Sequence, residues 1–363
     1  MHARRVRLPG SAPNYGAGAS LASDPAMNVI DTDAYSRRLR DRAVDLDGKR
    51  LLVSDLRGSA QEDDLSEPVN CGGYGRIRHF ARATRTGWPD NPLPIDPAAT
   101  ALGLPPGADG IRGQVFQNAA CNWRCWWCFV PYELLSANPA HSAMRTAYEL
   151  VDAYLTIPGR PPVLDLSGGQ PDLVPEWVSW TLRALDERSV SDVYVWSDDN
   201  LSTDYFFTHL PRAEQHYIAT HPRYGRVACF KGFDTESFAF NTTAAPELFD
   251  RQFTLFASLL ATGMDLYGYA TFTTPNADGI ASKMRAFTDR LQRIAEHLPL
   301  RVVPLEIQVW GPVAPRMRAD RHASLDLQQE AIAAWRNELT RRFDPADLAA
   351  PITRPWPSLP RFR

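Results

Sequence analysis

Residues 111–128 read IRGQVFQNAACNWRCWWC, and this stretch decides the interpretation of the chain. A strand-like run, 111–118, leads directly into Cys121, Cys125 and Cys128, which have the spacing C-x3-C-x2-C. Three thiolates on one short loop can each bind a different iron of a cubane cluster. Because such clusters usually take four ligands, one iron is left open for another molecule. The stretch therefore predicts a strand followed by a cluster-binding loop.

Further strand-like runs alternate with amphipathic helices after this loop. Strands that each precede a helix form right-handed βαβ units and a parallel sheet. Six units are too few for a closed eight-stranded barrel, so the prediction is an α/β fold with an open, partial (β/α)6 barrel. The predicted strands are 111–118, 162–167, 192–197, 226–231, 265–273 and 301–310, and the predicted helices are 143–156, 246–261, 280–298 and 325–341.

The sequence divides into four predicted segments. Residues 1–28 are rich in Gly, Ala, Ser and Pro and are expected to form a flexible tail. Residues 29–110 form an N-terminal accessory region that ends in a proline-rich boundary stretch. Residues 111–342 make the barrel, and residues 343–363 form an irregular C-terminal tail. We expect the accessory region to cover the open side of the barrel and to shape substrate access.

Composition and charge exclude several classes of protein. With 44% hydrophobic and 22% charged residues, the 363-residue chain has the composition of a soluble globular protein. Its net charge of −3 gives no reason to expect nucleic acid as a partner. No apolar run predicts a membrane span or a secretory signal. Five cysteines, three of them within 121–128, predict a reducing cytoplasm rather than a disulfide framework.

The cysteine loop resembles the signature of the radical S-adenosylmethionine (SAM) superfamily. In that family the loop follows the first strand of a partial barrel, and an aromatic residue usually precedes the third cysteine, as Trp127 does here. The resemblance implies a [4Fe–4S] cluster on Cys121, Cys125 and Cys128, whose open iron binds SAM. It also implies that an electron, supplied by a partner such as flavodoxin or ferredoxin, cleaves SAM. The resulting 5′-deoxyadenosyl radical then abstracts hydrogen from the substrate.

The second predicted strand ends in Ser167-Gly168-Gly169-Gln170-Pro171, which resembles the G-G-E-P segment of the same family. Glycines let the backbone approach a ligand without a Cβ clash. The resemblance implies that this segment meets the SAM ammonium group. Gln170 replaces the usual Glu, so it keeps a carbonyl acceptor but loses the charge, and we expect a weaker contact. Taken alone, the segment would predict only a turn.

Polar residues also follow the later predicted strands. Ser197 and Asp198 end the third strand, where the family often presents groups to ribose or substrate; the alternative is an Asx turn that caps the next helix. Lys231 begins a K-G-x-D segment similar to one in radical SAM proteins related to the glycyl-radical activases. It either meets a carboxylate or phosphate or forms a Lys–Asp pair that closes the loop. Glu306 and Gln308 share one face of the sixth strand and are candidates to contact adenine or substrate.

Three functions remain open from the sequence. The favoured one is radical chemistry on a small polar molecule, such as a nucleoside, sugar or amino acid derivative. The second is an activase or peptide-modifying enzyme that acts on a protein or peptide partner, which the K-G-x-D segment supports. The third is a non-catalytic zinc-binding protein, in which His141, Cys71 or Cys229 would supply a fourth ligand. No second C-x-x-C or C-x-x-H pair is present to complete such a site.

Overall fold

The computed structural model describes residues 29–355, so the predicted flexible tail 1–28 and the segment 356–363 lie outside the described residues. Within them the strands are β1 (Val44–Asp45), β2 (Arg50–Ser54), β3 (Gly75–Ala81), β4 (Gly110–Gln117), β5 (Ser142–Thr146), β6 (Val163–Ser167), β7 (Tyr194–Asp199), β8 (Tyr224–Phe230), β9 (Leu266–Thr271) and β10 (Val302–Leu305). The α-helices are α1 (Thr32–Ala43), α2 (Ile95–Leu102), α3 (Ala147–Leu155), α4 (Glu176–Glu187), α5 (Tyr205–Thr208), α6 (Arg212–Thr220), α7 (Thr235–Thr242), α8 (Leu248–Ala261), α9 (Ile280–Ile294), α10 (Ala319–Arg342) and α11 (Pro345–Leu348).

Seven strands form one curled sheet in the order β10-β9-β8-β7-β6-β4-β3. The six strands β4, β6, β7, β8, β9 and β10 run parallel, and helical segments connect them. This arrangement confirms the predicted α/β partial barrel. Each parallel strand coincides with a predicted strand within a few residues. The exception is the far end of β10, which stops at Leu305, so Glu306 follows the strand instead of belonging to it.

Residues of the predicted accessory region complete the open edge of this sheet. Strand β3 pairs antiparallel with β4 along its whole length, from Gly75 opposite Phe116 to Ala81 opposite Gly110. A separate antiparallel sheet contains β1, β2 and β5. Helix α2 lies below the barrel and contributes Ala98 to its interior. At the other end of the chain, the segment predicted to be irregular contains α11. None of the helices in residues 29–355 combines the length and apolarity needed to span a membrane.

The two faces of the sheet are buried against different partners. Residues such as Leu164, Leu166 and Val195 pack against the outer helices in the largest apolar cluster. Alternate residues point the other way, because successive side chains of a strand face opposite sides. These concave-facing residues include Tyr194 and Trp196, and they form a second cluster with Leu93 and Ala98 at the lower end of the barrel. Burying each large apolar side chain stabilises the fold by about 1.5–3 kcal/mol. The lower barrel is therefore filled, and ligands are expected at the carboxyl ends of the strands.

Candidate active site

The cysteine loop leaves the carboxyl end of β4 and is fixed by backbone hydrogen bonds. The N–H of Cys121 donates to the Leu135 carbonyl at 2.9 Å. The N–H of Cys128 donates to the Cys125 carbonyl at 3.1 Å, so the second and third cysteines share one turn. All three thiols are free; Cys125 is buried and the other two are partly buried. The predicted ligands therefore lie on one ordered loop and form no disulfide.

Arg124 fastens the interior of the loop. Its Nη1 donates to the carbonyl oxygens of Cys121 at 2.6 Å and Trp123 at 3.0 Å. Its Nη2 donates to the hydroxyls of Tyr35 and Ser136. A guanidinium carries five N–H donors in one plane, so a single side chain can hold several acceptors in place. Arg124 therefore fixes the backbone between the first two cysteines.

A second arginine fastens the end of the loop. Arg316 donates from Nη1 to the Cys128 carbonyl at 2.7 Å and from Nη2 to the Val130 carbonyl at 3.1 Å. Its guanidinium carbon lies 3.7 Å from the centroid of the Tyr132 ring. The Tyr132 hydroxyl donates in turn to the Cys125 carbonyl at 3.0 Å. Side chains distant in sequence thus hold the segment that carries the second and third cysteines.

Burial raises the pKa of both the Cys125 and the Cys128 thiols. The positive charge of Lys231 acts against this shift at Cys125, whereas a charged Cys121 would add to it. The Cys125 and Cys128 thiols are therefore protonated at neutral pH. Binding of iron requires thiolates, so cluster assembly must release these protons.

The three thiols are not arranged to hold a single metal ion. Across residues 29–355, no three or more His, Cys, Asp and Glu side chains come close enough together to bind one ion. In a cubane each thiolate binds a different iron, so the sulfurs lie farther apart than the ligands of one zinc ion. A preformed four-ligand zinc site is therefore missing from the described part of the chain.

The turn after β6 lies directly against the start of the cysteine loop. The Gln170 N–H donates to the Ala120 carbonyl at 2.8 Å, and Asn118 Nδ2 donates to the Gln170 carbonyl at 2.8 Å. A Cβ on Gly169 would collide with the carbonyl oxygens of Asn118 and Ala120. Gly168 has a φ of +91°, a backbone conformation that favours glycine. The close approach of two strand ends therefore requires both glycines.

The side chain of Gln170 joins the second parallel strand end to the third. Its Nε2 donates to Asp199 Oδ1 at 2.8 Å, and its Oε1 accepts from the Asn200 N–H at 2.9 Å. A carboxylate at position 170 would face that of Asp199, whereas the amide donates to it. Asp199 is therefore a local hydrogen-bond partner for Gln170, which stands where the resembling family usually has Glu. Pro171 follows at the start of a short 3-10 helix, and Ser167 ends β6 in a buried position.

Ser197 and Asp198 occupy opposite faces of β7, as expected for successive strand residues. Ser197 Oγ lies 2.7 Å from the Tyr224 hydroxyl on the side of the outer helices. Asp198 shares the concave face with Trp196. Burial raises the pKa of Asp198, while the charges of Arg78 and Lys231 act against that shift. Of the two predicted residues, the fold brings Asp198 to the barrel interior.

Lys231 lies between the cysteine loop and the barrel interior. Its Nζ is 5.0 Å from the centroid of the Trp127 ring. The sequence offered Asp234 as a possible partner for Lys231. In the structure, Asp234 instead pairs with Lys283 at 3.0 Å and caps α7. Lys231 is therefore a partly buried cation beside the predicted ligands, and its ammonium group is not paired with Asp234.

Glu306 is held by a residue from the region before the barrel. Arg85 Nε lies 2.7 Å from Glu306 Oε1, and Gln308 Nε2 donates to Glu306 Oε2 at 3.0 Å. The Glu306 and Gln308 side chains therefore contact each other, although the strand has already ended. The carboxylate is engaged by protein partners at the rim of the barrel.

Three charged residues of the concave face are not among the site residues that the sequence predicts: Arg76 and Arg78 on β3, and Asp165 on β6. Arg76 and Asp165 are buried, and Arg78 Nη1 lies 3.7 Å from Asp165 Oδ2. One signal was available, because a lone Asp interrupts the apolar run VLDLS of a strand buried along its length. Charged residues in such strands are rarely left without a role or a partner.

Comparisons with known proteins give limited matches. No protein-family model matches the chain, and no curated protein matches it. Streptococcus suis SuiB bound to S-adenosylmethionine aligns with a TM-score of 0.37 and 14% identity, over 50% of this chain and 37% of SuiB. SuiB bound to the precursor peptide SuiA aligns with a TM-score of 0.34 and 15% identity, over 48% of this chain and 35% of SuiB. The chain thus matches little more than a third of SuiB.

Proposed function

We propose that this chain is a radical SAM enzyme that binds a [4Fe–4S] cluster through Cys121, Cys125 and Cys128. The observation that carries the proposal is the contact between the cysteine loop and the Gly-Gly-Gln turn at the carboxyl ends of adjacent parallel strands. The Gln170 N–H and the Ala120 carbonyl join them at 2.8 Å. A molecule bound to an open iron at the loop would reach the turn, as the amino acid end of SAM must.

The residues present suit both a [4Fe–4S] cluster and SAM. Three free thiols are the donor set of a cluster with one open iron. Two buried polar atoms beside them, Trp127 Nε1 and Asn200 Oδ1, have no hydrogen-bond partner. Asn200 Nδ2 lies 3.9 Å from Cys121 Sγ. The unpartnered Asn200 Oδ1 therefore belongs to a residue that contacts a proposed cluster ligand. Unpartnered buried atoms of this kind favour a site that binds another group.

When bound, the cluster supplies the electron that cleaves SAM. The chain contributes the surroundings of this step. Arg124 and Arg316 hold the loop backbone, and the positive charges of Lys231 and Arg316 offset the negative charge of the thiolates. Carbonyl oxygens of the Gly168-Gly169 turn would accept hydrogen bonds from the SAM ammonium group, and Asp198 would accept one from a ribose hydroxyl.

The favoured substrate is a small polar molecule, because charged side chains line the concave face beneath the site. A flavodoxin or ferredoxin is the proposed reductant, and a reducing compartment suits the five free cysteines. Residues of β3 and Arg85, which lie before the barrel strands, would then shape access to the substrate.

The test is anaerobic reconstitution of the full chain with iron and sulfide, followed by addition of dithionite and SAM. We expect 5′-deoxyadenosine and methionine in equal amounts. The matched variants are Cys125→Ala, which removes a proposed ligand, and Cys71→Ala, which removes a free cysteine that precedes the barrel strands. Product formation lost in the first and retained in the second supports the proposal; equal activity in both would refute the ligand assignment.

A further inference from the structure

A row of residues crosses the concave face just below the predicted cluster. In the register of the sheet, Arg76 of β3 lies opposite Val115 of β4, Val115 opposite Asp165 of β6, and Asp165 opposite Trp196 of β7. Residues paired across strands share a face. Trp196 belongs to the interior cluster, so the whole row faces the barrel interior.

Arg76 is a buried cation with unused donors. Its side chain is nearly inaccessible, its Nε donates to Gln117 Oε1 at 3.2 Å, and its Nη2 has no partner. Burial and then the neighbouring Arg78 lower the pKa of Arg76 to about 10, so it remains charged at neutral pH. Its guanidinium carbon lies 5.4 Å from the centroid of the ring of Phe129, the residue that follows Cys128. The free donors therefore lie close to the cysteine loop.

Asp165 is a buried acid with an unused acceptor. It is fully inaccessible, and its Oδ1 has no hydrogen-bond partner. Its Oδ2 has only distant partners, Ser167 Oγ at 3.4 Å and Arg78 Nη1 at 3.7 Å. Burial and then the neighbouring Asp198 raise the pKa of Asp165 to about 7. Leaving such groups unpaired costs stability, which favours a role in binding.

Arg76 and Asp165 form no ion pair, although each charge acts on the pKa of the other. Two strand spacings place their backbones about 9–10 Å apart. The concave face therefore presents a cation with a free donor and an acid with a free acceptor at separate points. A ligand that satisfies both must carry an anionic group and a hydrogen-bond-donating cationic group a short distance apart.

We infer that Arg76 and Asp165 form a subsite for the α-amino acid group of a small-molecule substrate, with its carboxylate on Arg76 and its ammonium on Asp165. This inference rests on the proposed function and selects one of the three classes of small polar substrate. A guanidinium matches a carboxylate with two parallel hydrogen bonds, and an ammonium group supplies donors to the acid. A nucleoside or neutral sugar would leave Arg76 without an anion.

SAM carries the same amino acid group, so the experiment must separate the two sources. The reconstituted full chain is assayed for 5′-deoxyadenosine with SAM and dithionite, with and without a probe. The probes are the twenty proteinogenic L-amino acids, each paired with its carboxamide. We expect at least one amino acid to raise the rate about tenfold or more and its carboxamide to have little effect, because the charge-assisted hydrogen bond is lost.

Three variants test whether Arg76 and Asp165 are responsible for the stimulation by an amino acid. Arg76→Gln should lose the stimulation while its Kd for SAM changes by less than about twofold. Asp165→Asn should lose the preference for the free amino acid over its N-acetyl form. Arg112→Gln removes a partly exposed arginine of β4 that pairs with Glu67 at 3.2 Å, and it should keep the stimulation. Asp165→Asn also tests the subsite if Arg76→Gln does not fold.

Several outcomes would overturn the subsite without touching the proposed function. These are no stimulation by any of the twenty amino acids, equal stimulation by acid and carboxamide, or a SAM Kd weakened about tenfold or more in Arg76→Gln. Stimulation by glucose 6-phosphate alone would overturn it too, because it would assign Arg76 to a phosphate. Failure of the proposed function is a different result: no 5′-deoxyadenosine under any condition.

Discussion

Gln170 donates from its side-chain amide to Asp199 Oδ1 at 2.8 Å, and this bond ties the Gly-Gly-Gln turn to the end of the next strand. Both side chains are buried. The bond requires a donor at position 170, which explains why an amide stands where the resembling family usually has a carboxylate. Because of this contact, a negative charge on the side chain at position 170 is expected to destabilise the turn.

We therefore expect Gln170→Glu to destabilise the fold at neutral pH, although it restores the family's usual residue. Two buried carboxylates at hydrogen-bond distance cannot both ionise, and the lost hydrogen bond costs about 1–3 kcal/mol. The deficit should shrink as the pH falls, because the introduced carboxyl group can donate again once it is protonated. Denaturant unfolding of wild type and variant at several pH values measures this difference in the free energy of unfolding. A variant as stable as wild type at pH 8 would contradict the assigned contact.

Gly169→Ala should be strongly destabilising, because its Cβ would collide with two backbone carbonyl oxygens that cannot move independently. We expect the free energy of unfolding to fall by about 1–3 kcal/mol or more, as in overpacked sites. Gly159→Ala is the control: an added Cβ there meets no atom within 4 Å, although φ is +60°. Its cost should be limited to the backbone strain of about 1–2 kcal/mol. Equal losses of stability would argue against the close approach of turn and loop.

Arg316→Gln should leave the chain folded but weaken its hold on the cluster. The variant loses the guanidinium that binds the carbonyls of Cys128 and Val130. We expect iron to be lost to a chelator several-fold faster than from wild type, since groups that orient metal ligands affect metal affinity by about 10–100-fold. The control is Arg318→Gln, which removes an exposed arginine paired with Asp320 at 2.9 Å. Equal rates of iron loss in both variants would assign Arg316 a role in folding alone.

The buried carboxylate of Asp165 makes the ligand-free chain less stable as the pH rises. Burial raises its pKa to about 7 in the folded state, against 3.8 ordinarily, so the stability cost grows from about pH 4 to pH 7 and is constant above that. Asp165→Asn should therefore raise the free energy of unfolding at pH 8 by a few kcal/mol and leave it unchanged below pH 4. Asp192→Asn, in an exposed aspartate paired with Arg160, should show no such pH-dependent gain.

The sequence predicted the parallel strands and the cysteine loop because their signals are local. Each strand is a short apolar run followed by turn residues, and the three cysteines lie within one loop. The start of α3 also has a local signal in the sequence. Thr146 and Glu149 form a capping box, so the helix begins at Ala147 rather than at 143.

What the sequence could not predict depends on contacts between distant segments. Strand β3 alternates charged and apolar residues, R-I-R-H-F, which is also typical of a solvated face. Its pairing with β4 brings Arg76 into the barrel, and nothing in the local pattern indicates that partner. Arg316 likewise reaches Cys128 only because the chain after β10 returns to the cysteine loop. Residues that support a site from far away in sequence therefore emerged only from the fold.

Analysis of iron, acid-labile sulfide and zinc in the anaerobically reconstituted full chain tests the central claim most directly. A cubane held by Cys121, Cys125 and Cys128 predicts about four iron and four sulfide per chain, and a Mössbauer spectrum in which SAM alters one iron of the four. One equivalent of zinc, or a protein without iron after reconstitution, would contradict the account.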